Sequence, residues 1–433
     1  MNGPGSPKIR TVAPAKRLRG KIRVPGDKSI THRGVLLGTL ANGRSRIKGA
    51  GLGADTLASM AVVQALGATV HTTKDVLMVT GTGLHSLREP QDVLDCGNSG
   101  TTMRLTAGLL AGRQLNATLT GDASLRNRPM GRITLPLRDL GAKIDGREQG
   151  KFAPLTLGAS RLHGTDLNID VPSAQVKSAI VLAALRADSP TTIRQPSPSR
   201  DHTERMLRAQ GADVTEEAGI LRINPIDKLE ALDVVVPGDI SSAAFWIVAA
   251  TIHRDAEITI CDVGLNPLRI GVLEALQAMG AKIEIHMETI EPEPSGTVVA
   301  FSSDLKAVNA AGDLIPRLID EIPALVLAAT AANGSSQIAD AGELRVKESN
   351  RIQTVTDALS ALGLQITPMR DGFVIDGPQH VDGGEVEAAG DHRIAMLAAI
   401  AGLSGTNPVT IRGSDAVDVS YPNFWNDLER LRV

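Results

Sequence analysis

Positively charged side chains recur near the starts of segments that resemble helices. Each of six such segments opens with glycine or small polar residues, and cations follow at Lys28, Arg33, Arg104 and Arg393. The helix dipole disfavours a cation in the first turn by roughly 0.3–1 kcal/mol, whereas the free backbone N–H groups there bind anions. Ser and Asp at these starts also serve as ordinary N-caps. The recurring cations predict phosphate or carboxylate ligands, with solvated surface arginines as the alternative.

A second group of residues combines acids with bases. Asp320 begins a predicted helix, and Lys347, Glu348 and Arg351 follow in one short segment. Glu348 and Arg351 are three residues apart and would share a helix face, which an ordinary salt bridge also explains. A carboxylate held among cations near an anion site is equally how acid–base groups are tuned. We expect Asp320 to stay ionised and act as a base, and Glu348 to act as an acid.

Other residues with chemical potential have structural interpretations. Residues 49–53 (GAGLG) lack the spacing of a P-loop and the acidic partner of a dinucleotide fold, so they predict a turn. Cys96 is typical of a small core residue. His163, His202 and His253 have no metal-ligand spacing and are expected at the surface or at helix caps.

The elements that must hold these residues form a repeat. Each copy has an Ala/Leu-rich helix, a polar break and a short β-branched strand, and the strands recur in steps of 72, 74, 67, 78 and 73 residues. One apolar residue marks each strand: Ile47, Leu119, Ile193, Ile260, Ile338 and Ile411. The predicted helices are residues 34–40, 104–111, 179–185, 243–251, 323–332 and 394–403.

A second helix in each copy ends at a glycine before a new strand, as expected for a left-handed C-cap. The glycines are Gly67, Gly141, Gly211, Gly280 and Gly363. Each copy is therefore a βαβαββ-like module, which cannot bury its apolar face alone.

Six modules predict an α/β protein with two domains of three copies each. The strand-like run that meets a Pro-Gly break at residues 236–239 marks the border. We expect one domain at residues 21–238 and the other at residues 239–433, completed by residues 1–20. The chain would then cross between domains twice.

Composition excludes several classes of protein. With 45 Lys+Arg against 48 Asp+Glu, the net charge of -3 argues against a general nucleic-acid binder. Aromatic residues are only 2% of the chain, too few for stacking platforms. Two cysteines make no disulfide framework, and the apolar runs are too short for a membrane span or a signal peptide. We expect a cytoplasmic, core-rich monomer with no nucleic-acid or membrane partner.

Six motifs, in order along nearly the whole chain, resemble the enolpyruvylshikimate-phosphate synthase family and its divergent bacterial branch. They are residues 24–33 (VPGDKSITHR), 97–104 (GNSGTTMR), 121–130 (GDASLRNRPM), 200–204 (RDHTE), 345–351 (RVKESNR) and 390–396 (GDHRIAM). The resemblance implies an inside-out α/β barrel with the active site in the interdomain cleft, and domains that close on their ligands.

The resemblance also implies a reaction in chorismate and aromatic amino acid biosynthesis. The enolpyruvyl group of phosphoenolpyruvate is transferred to the 5-hydroxyl of shikimate 3-phosphate through a tetrahedral intermediate, and phosphate is released. No metal or other cofactor is implied.

Residues that match the family's motifs take its roles. The catalytic matches are Asp320, Glu348 and Lys347. The shikimate 3-phosphate matches are Lys28, Ser29, Arg33, Ser173, Ala174, Gln175, Arg200, Asp320 and Lys347. The phosphoenolpyruvate matches are Lys28, Gly100, Arg128, Gln175, Arg351, His392 and Arg393.

Three positions depart from the family pattern. Ala174 replaces the second residue of a frequent Ser pair, Leu105 replaces a frequent Pro, and no Lys occurs between residues 418 and 421. We therefore expect His392 and Arg393 to carry more of the phosphate contact. Some members of the branch have Ala at the place of Gly100, so the glycine predicts room for glyphosate.

Two alternatives differ in observable ways. The sister enzyme, UDP-N-acetylglucosamine enolpyruvyl transferase, normally has a mobile-loop Cys, which residues 126–130 lack. A catalytically inactive anion-binding scaffold would keep the repeats but lose Asp320, Lys347 or Glu348, and all three are present.

Overall fold

A computed structural model describes residues 8–433, and contacts divide them into two units. The repeat 1–3 unit comprises residues 26–236 and 291–293, and the repeat 4–6 unit comprises the described residues up to Pro25, Pro237–Ile290 and Pro294–Val433. The first break lies beyond the expected border at residue 20, because a strand runs through that position (Leu18–Ile22).

The elements follow the predicted order along the chain. The N-terminal segment forms two strands, β1 (Ile9–Val12) and β2 (Leu18–Ile22). Repeat 1 forms α1 (Lys28–Leu40), β3 (Ala41–Asn42), β4 (Arg44–Lys48), α2 (Ala54–Ala65), β5 (Thr69–Thr73) and β6 (Val76–Thr80). Repeat 2 forms β7 (Leu94–Asp95), α3 (Gly100–Leu110), β8 (Ala117–Thr120), α4 (Gly131–Asp139), β9 (Lys143–Gly146), the single turn α5 (Arg147–Gly150) and β10 (Phe152–Gly158). Repeat 3 forms β11 (Asp166–Asn168), α6 (Ala174–Ala184), β12 (Thr191–Arg194), α7 (His202–Ala209), β13 (Val214–Glu217), β14 (Ile220–Ile223), β15 (Leu229–Glu230) and β16 (Asp233–Val235).

The second half repeats the arrangement. Repeat 4 forms α8 (Ile240–Ile252), β17 (Ala256–Gly264), α9 (Gly271–Ala278), β18 (Ile283–Thr289) and β19 (Ser295–Phe301). Repeat 5 forms β20 (Asn309–Ala310), α10 (Ile315–Leu318), α11 (Ile322–Thr330), β21 (Gly334–Ile338), α12 (Arg351–Ser360), β22 (Thr367–Met369) and β23 (Gly372–Gly377). Repeat 6 forms β24 (Gly384–Glu387), α13 (His392–Leu403), β25 (Val409–Arg412) and α14 (Phe424–Leu431).

Each repeat builds one small mixed sheet around its marker strand. In the sheet β7-β8-β10-β9, β7 runs parallel to β8, and the other two pairs are antiparallel. Four further sheets have the same pattern, with marker strands β4, β12, β17 and β21, and the sixth, β1-β25-β24, has three strands. All six marker residues lie in these equivalent strands, so the predicted sixfold repeat and the α/β class are confirmed.

Two strands pair with the sheets of repeats that are distant from them along the chain. β2 precedes repeat 1 but pairs in parallel with β17 of repeat 4. β16 precedes repeat 4 but pairs in parallel with β4 of repeat 1. β1 pairs with β25 of repeat 6, which supplies the antiparallel neighbour that the last repeat lacks. The N-terminal segment therefore completes the sheets of the repeat 4–6 unit.

The first helix of every repeat is almost entirely buried, whereas the second helix is buried on one face. In the repeat 4–6 unit, α8, α11 and α13 contact one another and the sheets pack around them. In the repeat 1–3 unit, α3 contacts α1 and α6 in the same way. The buried helices begin at the predicted N-caps, a few residues before the Ala/Leu-rich runs. Asp27, Ser99, Ser173, Asp239 and Asp391 accept hydrogen bonds from first-turn N–H groups there.

The glycine C-caps are confirmed in their geometry. Gly67, Gly141, Gly211, Gly280 and Gly363 have φ between 85° and 102°. The residue after each donates its N–H to a carbonyl five positions back, as Ala68 does to Val63 (3.0 Å). This is the Schellman arrangement, which turns the chain from the outer helix into the next strand.

One histidine differs from the prediction. His202 is neither at the surface nor a cap: it is 1% exposed and its Nδ1 lies 2.9 Å from Glu293. His253 caps the C-terminus of α8, as predicted, and is buried there. Cys96 is a core residue, and burial raises the pKa of its thiol to about 12, with Asp95 contributing. Residues 49–53 form a turn between β4 and α2, as predicted. Within residues 8–433, every helix is too short or too polar to cross a membrane.

Candidate active site

The start of α1 presents the first of the predicted anion-binding residues. The carboxylate of Asp27 accepts the N–H of Ile30 (2.9 Å), which starts the helix at Lys28 and places Ser29 in its first turn. Lys28 Nζ lies 2.9 Å from Asp55 Oδ2 in the first turn of α2. Sequence reasoning missed Asp55, because only the fold brings a carboxylate 27 residues away to this lysine.

Arg33 lies deeper than predicted, in the second turn of α1, and is only 3% exposed. Its Nε donates to Thr203 Oγ1 (2.7 Å) on α7, and its Nη2 donates to Ser178 Oγ (2.8 Å) on α6. Burial lowers the pKa of Arg33 to about 10, with Arg200 acting in the same direction and Glu204 opposing. Three helices therefore fix this guanidinium.

The start of α3 brings together Gly100, Arg104, Arg128 and Gln175. Arg104 Nη1 donates to Gln175 Oε1 (2.5 Å), and Gln175 Nε2 donates to Thr101 Oγ1 (2.8 Å). A Cβ added at Gly100 would lie 3.0 Å from Arg104 Nη1 and 3.5 Å from Arg128 Nη1. The glycine thus leaves space directly beside two guanidinium groups.

A buried chain of side-chain hydrogen bonds joins these two helix starts. His32 Nδ1 lies 2.8 Å from Ser59 Oγ, which lies 2.8 Å from Thr102 Oγ1, and Thr102 reaches Ser99 at 2.8 Å. Burial lowers the pKa of His32 to about 3, despite the opposing charge of Asp55. The imidazole is neutral at pH 7, so it links α1, α2 and α3 without adding charge.

Ser173 and Ala174 begin α6. The Ser173 hydroxyl accepts the N–H of Val176 (3.5 Å) as an N-cap, and Ala174 is the first helical residue. Arg200 lies in the loop between β12 and α7 of the same unit. The structure thus places the predicted residues numbered below 237 in the first two turns of helices or in adjoining loops of the repeat 1–3 unit.

In the repeat 4–6 unit, one buried arginine contacts three carboxylates. Arg351 is 1% exposed. It lies 2.7 Å from Glu348 Oε2, 2.9 Å from Asp391 Oδ2 and 3.6 Å from Asp320 Oδ1. Burial acts to lower the pKa of Arg351, but Glu348 and Asp391 raise it above the ordinary value. We name this group the Arg351 cluster.

Asp320 is held from several sides. Its Oδ1 lies 3.2 Å from Lys347 Nζ, and its backbone carbonyl accepts Arg393 Nη1 (2.7 Å). The next residue, Glu321, is fully buried and accepts from Arg269 Nη1 (3.1 and 3.2 Å). Asp320 therefore lies in a rigid turn before α11, with two cations beside its carboxylate.

The predicted helical pairing of Glu348 with Arg351 is wrong in one respect. α12 begins at Arg351, so Lys347 and Glu348 lie in the loop before it, and the two partners do not share a helix face. The ion pair nevertheless forms, because the loop folds back over the helix start.

In the sequence Asp391 looks like an ordinary N-cap, and the structure adds a second contact. It does cap α13, accepting the N–H of Arg393 (3.0 Å), but it also holds Arg351. Burial acts to raise the pKa of Asp391, yet the charge and hydrogen bonds of Arg351 lower it to about 2. His392 and Arg393 follow it as the first two residues of the helix, 4% and 7% exposed.

In the stretch where many members of the predicted family have a Lys, only the last residue, Tyr421, packs into the core. Tyr421 is fully buried, and its hydroxyl donates to Asp427 Oδ2 (2.7 Å) and accepts from Trp246 Nε1 (3.2 Å).

Comparisons with known proteins agree on one family. The profile described as EPSP synthase (3-phosphoshikimate 1-carboxyvinyltransferase) matches residues 12–428. The chain is 52% identical over 429 residues to a 3-phosphoshikimate 1-carboxyvinyltransferase of Roseiflexus castenholzii, covering 98% of this chain and 100% of the relative. A protein of the same name from Chloroflexus aurantiacus is 52% identical, with 98% of each chain covered.

Solved structures give the same result. An EPSP synthase of Acinetobacter baumannii is 40% identical, with a TM-score of 0.87 and 98% of both chains covered. The enolpyruvyl transferase NikO of Streptomyces tendae has a TM-score of 0.80 at 19% identity, covering 99% of this chain and 98% of that one. The second likeness shows a shared fold.

Proposed function

This chain belongs to the family of EPSP synthases, 3-phosphoshikimate 1-carboxyvinyltransferases, and on that basis we propose which of its residues carry each step of the reaction. The enzyme transfers the enolpyruvyl group of phosphoenolpyruvate to the 5-hydroxyl of shikimate 3-phosphate and releases phosphate. The relatives named for this reaction decide against the UDP-sugar transferase that the sequence left as an alternative.

The Arg351 cluster is the observation that carries the catalytic assignment. Asp320 and Glu348 contact the same buried guanidinium, and Lys347 lies 3.2 Å from Asp320. This shared contact places the two carboxylates close together, where one can accept a proton and the other can deliver one. Asp320 removes the proton of the 5-hydroxyl. Glu348, beside Lys347, protonates the methylene carbon of phosphoenolpyruvate.

The reaction has two stages, an addition and an elimination. Protonation of the methylene carbon makes C2 of phosphoenolpyruvate electrophilic, and the 5-oxygen forms a bond to C2 as its proton passes to Asp320. The product of this addition is the tetrahedral ketal. Glu348, ionised in the first step, then removes a proton from the new methyl group, which restores the double bond as the C–O bond to phosphate breaks. The proton held by Asp320 leaves with the phosphate. The protein stabilises the developing charges through prearranged cations.

The remaining residues divide between the two anionic substrates. For shikimate 3-phosphate we assign Lys28, Ser29, Arg33, Ser173, Ala174, Gln175, Arg200, Asp320 and Lys347. For phosphoenolpyruvate we assign Lys28, Gly100, Arg128, Gln175, Arg351, His392 and Arg393. The support is that helix starts with cations beside them hold these side chains in both units. Ser173 Oγ accepts the N–H of Val176 as an N-cap, but its O–H can still donate to an anion. Ala174 has no hydroxyl, so this segment binds through the Ser173 O–H, backbone N–H groups and Gln175.

A phosphate-release assay tests the reaction and the acid together. We expect turnover only when phosphoenolpyruvate and shikimate 3-phosphate are both present. We expect Glu348→Gln to lower kcat by about 10²–10³, because an amide cannot deliver the proton. The exposed Asp357→Ala, on α12 of the same unit, is the matched control and should keep full activity. A wild-type enzyme without turnover contradicts the assigned reaction. Full activity of Glu348→Gln contradicts only its assigned role.

Gly100 makes the site a target for glyphosate. We expect competitive inhibition against phosphoenolpyruvate in the wild type, because the backbone at Gly100 leaves open the space beside Arg104 and Arg128. Gly100→Ala places a methyl group 3.0 Å from Arg104 Nη1, whose movement is restricted by its bond to Gln175. The variant should lose at least about tenfold in glyphosate affinity, equivalent to about 1.4 kcal/mol, with a smaller rise in KM for phosphoenolpyruvate. Equal sensitivity of the two enzymes would contradict this role of Gly100.

A cytoplasmic location and a monomeric state stay predictions. Cell fractionation and sedimentation of the purified protein measure them directly.

A further inference from the structure

The RDHTE segment (residues 200–204) contributes only Arg200 to the assignments above, yet three of its other side chains are buried. His202, Thr203 and Glu204 are 1%, 1% and 0% exposed. They lie in the first turn of α7, directly after the loop that carries Arg200. Burial of so many polar groups in one turn is costly unless they are paired.

Glu204 forms a buried ion pair with Lys177 of α6. Lys177 Nζ lies 2.6 Å from Glu204 Oε1, and the two side chains are 5% and 1% exposed. The same ammonium donates to the backbone carbonyl of Ser199 (2.9 Å). Ser199 immediately precedes Arg200, so the ion pair holds the peptide from which the Arg200 side chain projects.

Lys177 also connects two segments assigned to the same ligand. It lies on α6, two residues after Gln175 and four after Ser173. A helix is rigid over one turn. The hydrogen bond from Lys177 to the Ser199 carbonyl therefore sets the distance between the start of α6 and the Arg200 loop.

Thr203 holds a second residue assigned to shikimate 3-phosphate, Arg33. Its hydroxyl accepts from Arg33 Nε (2.7 Å) and lies 2.7 Å from Ser178 Oγ, which accepts from Arg33 Nη2. The first turn of α7 therefore contacts Arg33 directly and reaches the Arg200 loop through Lys177. Burial lowers the pKa of Arg33; the charge of Arg200 adds to this shift and the charge of Glu204 opposes it. Arg33, Arg200 and Glu204 therefore lie close enough to act on one another.

We propose that Lys177 and Glu204 are positioning residues for shikimate 3-phosphate, which act by fixing the Arg200 loop against the start of α6. The proposal rests on the assignment of Arg200 to this ligand in the proposed function. Neither residue touches the reacting atoms, so the two side chains affect the binding of shikimate 3-phosphate and not the chemical step.

Stability alone is a weak reason for this pair. Replacing a buried ion pair by apolar residues of similar size is often neutral or stabilising, because desolvation cancels much of the attraction. A Met and a Leu would fill this space, but neither could donate to the Ser199 carbonyl. The ammonium is needed for the loop.

The double variant Lys177→Met/Glu204→Leu separates the two roles, because it removes both members of the buried ion pair together. We expect its thermal unfolding to stay near the wild type, its KM for shikimate 3-phosphate to rise about tenfold, and its KM for phosphoenolpyruvate to change less than twofold. Glu204→Gln, which preserves shape, is measured alongside and serves as the test if the double variant does not fold.

Arg113→Met is the matched control. Arg113 is another buried cation of the same unit, 3% exposed, that donates to the backbone carbonyls of Leu84 and Leu109. It should lose stability without changing either KM. The proposal is overturned if the Lys177 and Glu204 variants leave KM for shikimate 3-phosphate unchanged, or if Arg113→Met raises it equally.

Arg200→Gln separates this proposal from the assignment beneath it. If Arg200→Gln raises KM for shikimate 3-phosphate and the Lys177 and Glu204 variants do not, positioning is wrong and the assignment holds. If Arg200→Gln has no effect, the assignment itself fails.

Discussion

Asp320→Asn is expected to lower kcat by about 10²–10⁴, the usual contribution of a positioned acid or base. The amide has the shape of the carboxylate and can still accept from Lys347, which lies 3.2 Å away in the native enzyme. It cannot take the proton of the 5-hydroxyl. Since the backbone of Asp320 is held by Arg393 and by the buried Glu321, the turn itself should not move.

Phosphate release and substrate binding measure the two parts of this prediction. KM for both substrates should change by less than about fivefold, as expected when an interaction specific to the transition state is lost. Asp320→Ala, which also removes the contact with Lys347, should be at least as inactive. A variant Asp320→Asn with near-native kcat would show that another group accepts the proton.

Arg351→Met should have the largest combined effect on stability and activity. The guanidinium contacts Asp320, Glu348 and Asp391, and its removal leaves Asp391 as an uncompensated charge in the core. Breaking a buried pair in this way costs about 3–5 kcal/mol in free energy of unfolding. Activity should also disappear, because the acid and the base lose their common partner.

Acid unfolding provides a second readout for the same variant. The folded pKa of Asp391, about 2, lies below its ordinary value of 3.8. Its ionised form therefore stabilises the fold fully above about pH 4, and this contribution is lost as the pH falls toward 2. In Arg351→Met burial acts without the opposing cation, so acid unfolding should begin at a higher pH than in the wild type.

Tryptophan fluorescence is well suited to follow this transition. Both tryptophans of the chain, Trp246 and Trp425, lie in the unit that contains Arg351. Trp246 stacks on Phe424 at 4.8 Å between ring centroids, so loss of packing changes its surroundings. Tyr421→Phe, which removes the hydroxyl that bonds Asp427, is the control for a buried polar loss outside the Arg351 cluster. A variant Arg351→Met as stable as the wild type would contradict the proposed role of the cluster.

Periodicity in the sequence was sufficient to predict the repeats and their helix ends. A glycine after each outer helix and a small polar residue before each inner helix are local signals, and the structure confirms them at Gly67 and Ser99. Local signals were insufficient where one spacing fits two structures. Glu348 and Arg351 are three residues apart, as on one helix face, but the helix begins only at Arg351 and Glu348 lies in the loop before it.

Partners of the site residues could not be predicted, because they lie on other helices, some of them in other repeats. Asp55 meets Lys28, and Thr203 meets Arg33, only after separate helices pack together. His202 stands among polar residues in the sequence and so looked exposed, whereas its carboxylate partner, Glu293, is distant along the chain. No periodic pattern encodes such pairs.

The strands that pair with distant repeats constrain the order in which the chain can fold during synthesis. β16 completes the sheet of repeat 1 as soon as residue 235 has been made, so the repeat 1–3 unit has its sheets early. β1 and β2 are synthesised first but find their partners, β25 and β17, only much later. β2 must therefore stay unpaired until β17 has been made, and β1 until β25 has been made near the end of the chain. The N-terminal segment has many charged and small residues, among them Lys16, Arg17 and Arg19, and these suit strands that remain exposed to solvent until their partners are made.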